Sequence, residues 1–242
     1  MLQRYSVPGG SYSRLFADIA RQPHALIAGT TGSGKSTVIN GLFHALLHST
    51  PAEVGFILID LKKVELDEYR HLPHVRTYAD DVPSALQALQ TAIDIMTARY
   101  TDMQRRHIRQ YDGSHLYVII DELADLMTTA PKQATPMIQR ITQLGRGAAC
   151  HVIAATQCPI SSVIPTPIKV NFPAKLGLMT ATAQDSRNII GRPGCEKLPY
   201  PPDAREAYGY YLRGPKCELY QLPKVTDAER QRVINHWTRQ SA

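Results

Sequence analysis

A chain of 242 residues with 43% hydrophobic and 20% charged side chains is long enough for one large α/β domain, and its composition excludes a disordered or membrane-embedded class. The excess of 27 Lys+Arg over 21 Asp+Glu, +6 at pH 7, suits a polyanionic partner such as nucleic acid. No apolar run reaches the roughly 18 to 20 residues of a bilayer span, the N-terminus lacks a signal-peptide core, and Cys150, Cys158, Cys195 and Cys217 show no metal-ligand spacing; reduced thiols in the cytoplasm are expected.

In chain order, short β-rich runs alternate with amphipathic stretches, the pattern of a parallel, doubly wound sheet flanked by helices. The run HALIA (24–28) reads as a buried strand and 36–47 as the helix after it. VGFILI (54–59) is a second strand ending at Asp60, to which no partner is assigned, and 83–109 has helical spacing through Leu86, Leu89, Ile93, Met96 and Tyr100. LYVII (116–120), a helix over 133–144 and HVIAA (151–155) continue the series. Residues 158–173 then read as loop with one short turn, 174–179 as a further strand, and 193–203 as irregular because of its prolines. Two β-like runs, 207–212 and 217–222, flank Arg213, Gly214 and Pro215 and predict a hairpin. Thr226, with Glu229 three residues on, opens a last helix toward Trp237.

Between the first strand and helix, Gly29, Thr30, Thr31, Gly32, Ser33, Gly34, Lys35 and Ser36 satisfy G-x-x-x-x-G-K-[ST], in the strand-to-helix context that motif requires. The glycines let successive N–H groups point at a β-phosphate, reinforced by the positive end of the helix dipole. Lys35 reaches for the β- and γ-phosphates, Ser36 for Mg²⁺, and Thr37 for the α-phosphate, so ATP and Mg²⁺ are the expected ligands. The strand LYVII delivers Asp121 and Glu122 at its end. Asp121 suits the Mg²⁺ shell, and Glu122 suits a general base that polarises the attacking water, which argues for hydrolysis over binding alone. Thr156 and Gln157, at the end of the strand after that, are sensor candidates at the γ-phosphate edge.

With these residues placed, the chain resembles the motor domain of the FtsK/SpoIIIE family of double-stranded DNA translocases. The resemblance runs from about Ser6 to about Arg192 and rests on AGTTGSGKS, ILIDLKKVELDEYRHLPHV, VIIDELADLM, LGRGAACHVIAATQCP and IKVNFPAKLGLMTATAQDSRNIIG, in the family's order. It implies one RecA-like P-loop ATPase domain with a core at about 20–192, extended over 193–242 by the hairpin and helix, and hexameric rings that hydrolyse ATP to pump duplex DNA. By position in its motif Arg146 is then the arginine finger, completing the site of a neighbouring subunit. Lys169 and Arg187 match positions that are basic in the family and are expected to face DNA, although Arg187 equally suits the subunit interface.

The departures fall on DNA contact and on the C-terminal part. Cys158 stands where the family's T-Q-R-P has arginine, Ala183 stands where a lysine is often found, and the stretch from Pro193 is only loosely similar. No winged-helix domain or membrane segment is expected within these residues, so any membrane tether would lie in other regions or partners. An ATPase that powers conjugation or type VII-like secretion is the related alternative, since those motors share these motifs. A scaffold using ATP as a structural ligand is disfavoured by intact Lys35, Ser36, Asp121 and Glu122. A small-molecule kinase is disfavoured because nothing resembles an acceptor-binding lid.

Overall fold

The computed structural model describes residues 10–199 and 206–240. The chain forms one eight-stranded sheet: β1 (His24–Ala28), β2 (Val54–Ile59), β3 (Val75–Ala79), β4 (His115–Ile120), β5 (Cys150–Thr156), β6 (Ala174–Gly177), β7 (Glu206–Arg213) and β8 (Lys216–Pro223), in the spatial order β3-β2-β4-β5-β1-β6-β7-β8. Neighbours from β3 to β6 pair in parallel, whereas β6–β7 and β7–β8 are antiparallel. The helices are α1 (Gly10–Arg21), α2 (Lys35–Leu46), α3 (Val82–Arg106), α4 (Leu123–Thr129), α5 (Pro131–Leu144), α6 (Thr166–Lys169), α7 (Ala183–Ile190) and α8 (Asp227–Gln240).

The central strands are apolar throughout because both faces are covered. Along β4, Tyr117 and Ile119 join one core with residues of α1, α2 and α8, while Leu116, Val118 and Ile120 join the other, with residues of α3, α4, α5 and α6. This period-two division recurs in β2 and β5, and it is what double winding means in side-chain terms.

Most predicted elements stand within three residues of where the periodicity puts them. Helix α3 begins in a capping box between Asp81 and Ser84 and stops three residues earlier than its apolar spacing suggests. His107 turns left-handed (φ 54°), and the Ile108 N–H donates to Met103 O at 3.0 Å, a glycine-type ending without glycine. Four elements lie outside the expectations. Strand β3 is short and half-exposed at the sheet edge, α4 is a seven-residue helix capped by Glu122, α1 packs on α2, and α7 is capped by Thr182. Of the irregular stretch predicted at 193–203, Cys195–Lys197 is one 3-10 turn, and its last residues lie outside the described ones.

The hairpin after residue 205 does not stand apart from the core. Strand β7 pairs with β6 and extends the sheet, and α8 returns across α2, where the Trp237 indole N–H donates to Leu47 O at 2.8 Å. Among the described residues no helix is long and apolar enough to cross a membrane.

Candidate active site

Strand β1 lies between β5 and β6. The chain leaves β1 for β2 in one direction and later crosses to β6 in the other, which opens a crevice at the carboxyl ends of the strands, where sheets of this kind hold ligands. The loop 29–34 fills that point. It is moored to both flanking strands' ends, with Gly29 N–H donating to Thr156 O at 3.2 Å and Thr30 N–H to Met179 O at 2.9 Å. Gly34 caps α2 at φ 101° with no side-chain partner for the first-turn N–H groups, and a Cβ there would collide with Ala207. At Gly29 a Cβ would lie 2.6 Å from both Leu178 Cβ and Ser33 Oγ. Only glycine fits these positions, and the uncapped first turn of α2 leaves N–H groups free for an anion.

The loop's own carbonyls hold the lysine. Lys35 Nζ donates to Gly29 O at 3.2 Å and to Thr30 O at 3.3 Å, and burial pushes its ammonium down against the opposing pull of Glu122 and Asp121. The Ser36 hydroxyl donates to Glu65 Oε1 at 2.7 Å. Thr37 is buried at the root of α2.

The acidic strand end sits opposite. Glu122, only 4% exposed, accepts hydrogen bonds from the Gln157 N–H at 3.1 Å on each oxygen and from the Ala124 N–H at 3.3 Å, and it pairs with Lys62 at 3.5 Å. Gln157 Oε1 in turn accepts from the Thr31 hydroxyl at 2.6 Å. Gln157 therefore ties the phosphate loop to Glu122 through its backbone on one side and its amide on the other. Asp121 is also buried, and that burial, followed by the nearby charges of Glu65, Asp60 and Glu122, pushes its carboxyl up to about 7. Asp60 is fully buried, with Oδ2 accepting from the Leu66 N–H at 2.9 Å and Oδ1 without a hydrogen-bond partner among the described residues.

Mg²⁺ fits this donor set. The groups are a hydroxyl and carboxylates, the hard oxygen ligands that ion prefers, and they crowd negative charge that a divalent cation relieves. Ser36 and Asp121 are the residues that would hold it. A cavity of about 240 Å³ opens on the β6 side of the loop, lined in part by Gly29, Thr30, Gln157, Cys158, Thr180 and Asp185.

The remaining predicted residues are distributed differently. Arg146 is exposed ahead of β5, at the opposite end of that strand from Thr156, and joins no ion pair among the described residues. Seven strand residues separate it from its own phosphate loop, a span of roughly 20 Å. Arg187 is exposed on α7, the helix whose Asp185 lines the cavity.

Lys169 requires a correction. Expected to present its charge outward, it is 6% exposed, and its Nζ donates to Pro159 O at 3.0 Å and to Ser161 Oγ at 2.9 Å, closing the loop 158–165 onto α6. The ammonium thus ties the carbonyl of Pro159 and the hydroxyl of Ser161 to α6. Replacing Lys169 with Ala should lower stability by about 2 kcal/mol, the scale of a charged hydrogen bond lost from a buried site, and should speed proteolytic cutting within 158–165. Urea denaturation and limited proteolysis check this; unchanged stability with weakened DNA binding would restore the outward role.

Two residues of the site were not anticipated. Glu65 and Lys62 belong to the irregular segment after β2, where no periodicity marks which side chain turns inward. The three histidines that begin or adjoin β1, β4 and β5 are structural by contrast. The Val152 N–H donates to His24 Nδ1 at 3.0 Å, and burial, with His151 beside it, pushes His24 down to about 3.

A glycine-rich loop between β1 and α2, facing an acidic strand end across a mostly parallel sheet, defines a P-loop ATPase fold. Solved structures agree: the pCW3 conjugation coupling protein TcpA superposes with a TM-score of 0.75 at 21% identity, covering 90% of this chain and 66% of that one. The cytoplasmic domain of the type VII secretion ATPase EccC of Thermomonospora curvata gives 0.72 at 22% identity, covering 89% and 28%. The chain belongs to the FtsK/SpoIIIE family, whose model matches residues 7–116 and 110–161. It is 41% identical over 207 residues to a DNA translocase FtsK of Mycobacterium tuberculosis, covering 75% of this chain and 25% of that protein. With a DNA translocase FtsK of Streptomyces avermitilis it shares 38% over 255 residues, covering 94% and 28%. The chain thus spans about a quarter of the length of these curated relatives.

Proposed function

We propose that this domain is an ATP-hydrolysing motor that translocates double-stranded DNA, working as a homo-oligomeric ring, most simply a hexamer, with each nucleotide at a subunit boundary. The observation that carries the hydrolytic reading is the bridge from Thr31 through Gln157 to Glu122, which joins the phosphate-binding loop to the carboxylate proposed as the base. In this reading the N–H groups of 32–36 cradle the phosphates, and Lys35 exchanges its carbonyl partners for phosphate oxygens. Bound Mg²⁺ would neutralise charge on the β- and γ-phosphates. Glu122 takes a proton from the attacking water, and Gln157 registers the γ-phosphate through its contact with Thr31.

DNA as the substrate follows from the family and the +6 charge. The 38–41% identity to proteins named DNA translocases supports it. ATPase rate measured against linear duplex length and salt, with negative-stain images of the same sample, tests the proposal. Rings whose turnover rises with duplex length and falls with salt support it; salt-insensitive turnover without DNA overturns it. The inward-turned Lys169 removes one expected DNA contact and favours keeping a second reading, an ATPase that powers conjugative DNA transfer or type VII-like protein secretion. Stimulation by a peptide or protein substrate alone would replace the first reading with this one.

A further inference from the structure

The segment between β2 and β3 is irregular yet held at both ends and in the middle. Asp60 Oδ2 fixes the Leu66 N–H at the end of β2. Tyr69, buried, stacks on Phe43 of α2 with ring centroids 3.9 Å apart and donates its hydroxyl to Asn40 at 2.8 Å. Between these anchors Glu68 accepts from Arg230 of α8 at 2.9 Å. Glu65 therefore reaches Ser36 from a braced backbone, although it lies outside helix and strand, just ahead of a 3-10 turn at Asp67–Tyr69.

Its partner choice is informative. Glu65 lies three residues from Lys62, yet Lys62 pairs with Glu122 and Asp125, and Glu65 joins no ion pair among the described residues. Its Oε1 instead accepts the Ser36 hydroxyl proton at 2.7 Å. A serine hydroxyl has one proton and two acceptor lone pairs and rotates freely unless something fixes the proton. A carboxylate acceptor is the strongest fixture available. With the proton committed to Glu65, the lone pairs of Ser36 Oγ remain for a cation.

We propose that Glu65 is a positioning residue of the nucleotide site, holding the Ser36 hydroxyl so that its oxygen is presented to the divalent cation that accompanies the nucleotide. The inference rests on the reading of Ser36 given above. It places the work of Glu65 in the coupling between metal and nucleotide and leaves the grip on phosphate itself to the loop.

The test measures the Kd of a fluorescent, slowly hydrolysed ATP analogue in Mg²⁺ and in EDTA, for the parent chain and four variants. Glu65→Ala should lose about tenfold of the tightening that Mg²⁺ gives the parent, the usual size of a coupling between two ligands, with its EDTA affinity unchanged. Glu65→Gln, whose amide oxygen still accepts the hydroxyl proton, should keep most of the tightening. Glu65→Ala combined with Ser36→Ala should lose no more than Ser36→Ala alone, because the two act through one oxygen. Full Mg²⁺ tightening in Glu65→Ala, an equal loss in EDTA, or losses that add in the double variant would each overturn the inference. A parent chain that binds the analogue without any Mg²⁺ dependence would instead overturn the reading of the site.

Discussion

Glu122→Gln should abolish ATP turnover while leaving nucleotide binding near parental. Glutamine keeps the backbone partners of Glu122: the amide oxygen still accepts from the Gln157 and Ala124 N–H groups, and the side chain has the same length. What is lost is the negative charge, hence the ability to take a proton from water. General base catalysis is worth about 10² to 10⁴ in rate, so the fall in kcat should lie in that range. The stability cost is small, because the lost ion pair to Lys62 joins a partner that is 42% exposed, and such pairs contribute at most about 1 kcal/mol. Single-turnover hydrolysis and a parallel titration with the same nucleotide give both numbers. A variant that still turns over within a few-fold of the parent removes Glu122 from the chemistry and leaves the crevice a binding site.

Arg146→Ala should also stop turnover with binding intact, and for a different geometric reason. Arg146 lies at the far end of β5 from the phosphate loop, exposed and outside every ion pair among the described residues. It is beyond reach of its own nucleotide. If it stabilises charge on a γ-phosphate, that phosphate belongs to another subunit, and removal should cost on the order of 10³ in kcat, as arginine fingers do. Mixing two inactive variants separates the possibilities. In a boundary where an Arg146→Ala subunit supplies Glu122 and a Glu122→Gln subunit supplies Arg146, the site is whole, and activity should return on mixing. No recovery, with rings present, would mean that Arg146 does not act across the boundary. Parental turnover by Arg146→Ala alone would make it a solvated helix end.

The parts of this molecule that a linear reading finds are those in which chemistry and spacing coincide locally. The phosphate loop is legible because steric limits at Gly29 and Gly34 and the position of Lys35 are properties of consecutive residues. Asp121 and Glu122 are legible because an apolar strand must end somewhere polar. The buried strands β1, β2, β4 and β5 announce themselves as continuous apolar runs for the reason that helices cover both faces.

Elements with weak local signals were missed. Strand β3 is half-exposed and only five residues long, and α4 takes its cap from Glu122, a residue already assigned to chemistry. Lys169 was misjudged because a lysine's sequence neighbours do not say whether its ammonium meets water or the carbonyl of Pro159, ten residues earlier in the chain.

The sequence by itself thus determined the nucleotide loop, the acidic strand end, the sheet's central strands and the family. Only the tertiary structure decided which side chains meet. It brought Glu65 to Ser36 across 29 residues and Gln157 to Thr31 across 126, and it put Arg146 at the opposite end of β5 from its own subunit's phosphate loop. Local residue order fixes backbone conformation, but contacts between distant segments depend on strand order and register. In this sheet β1 sits between strands drawn from far along the chain.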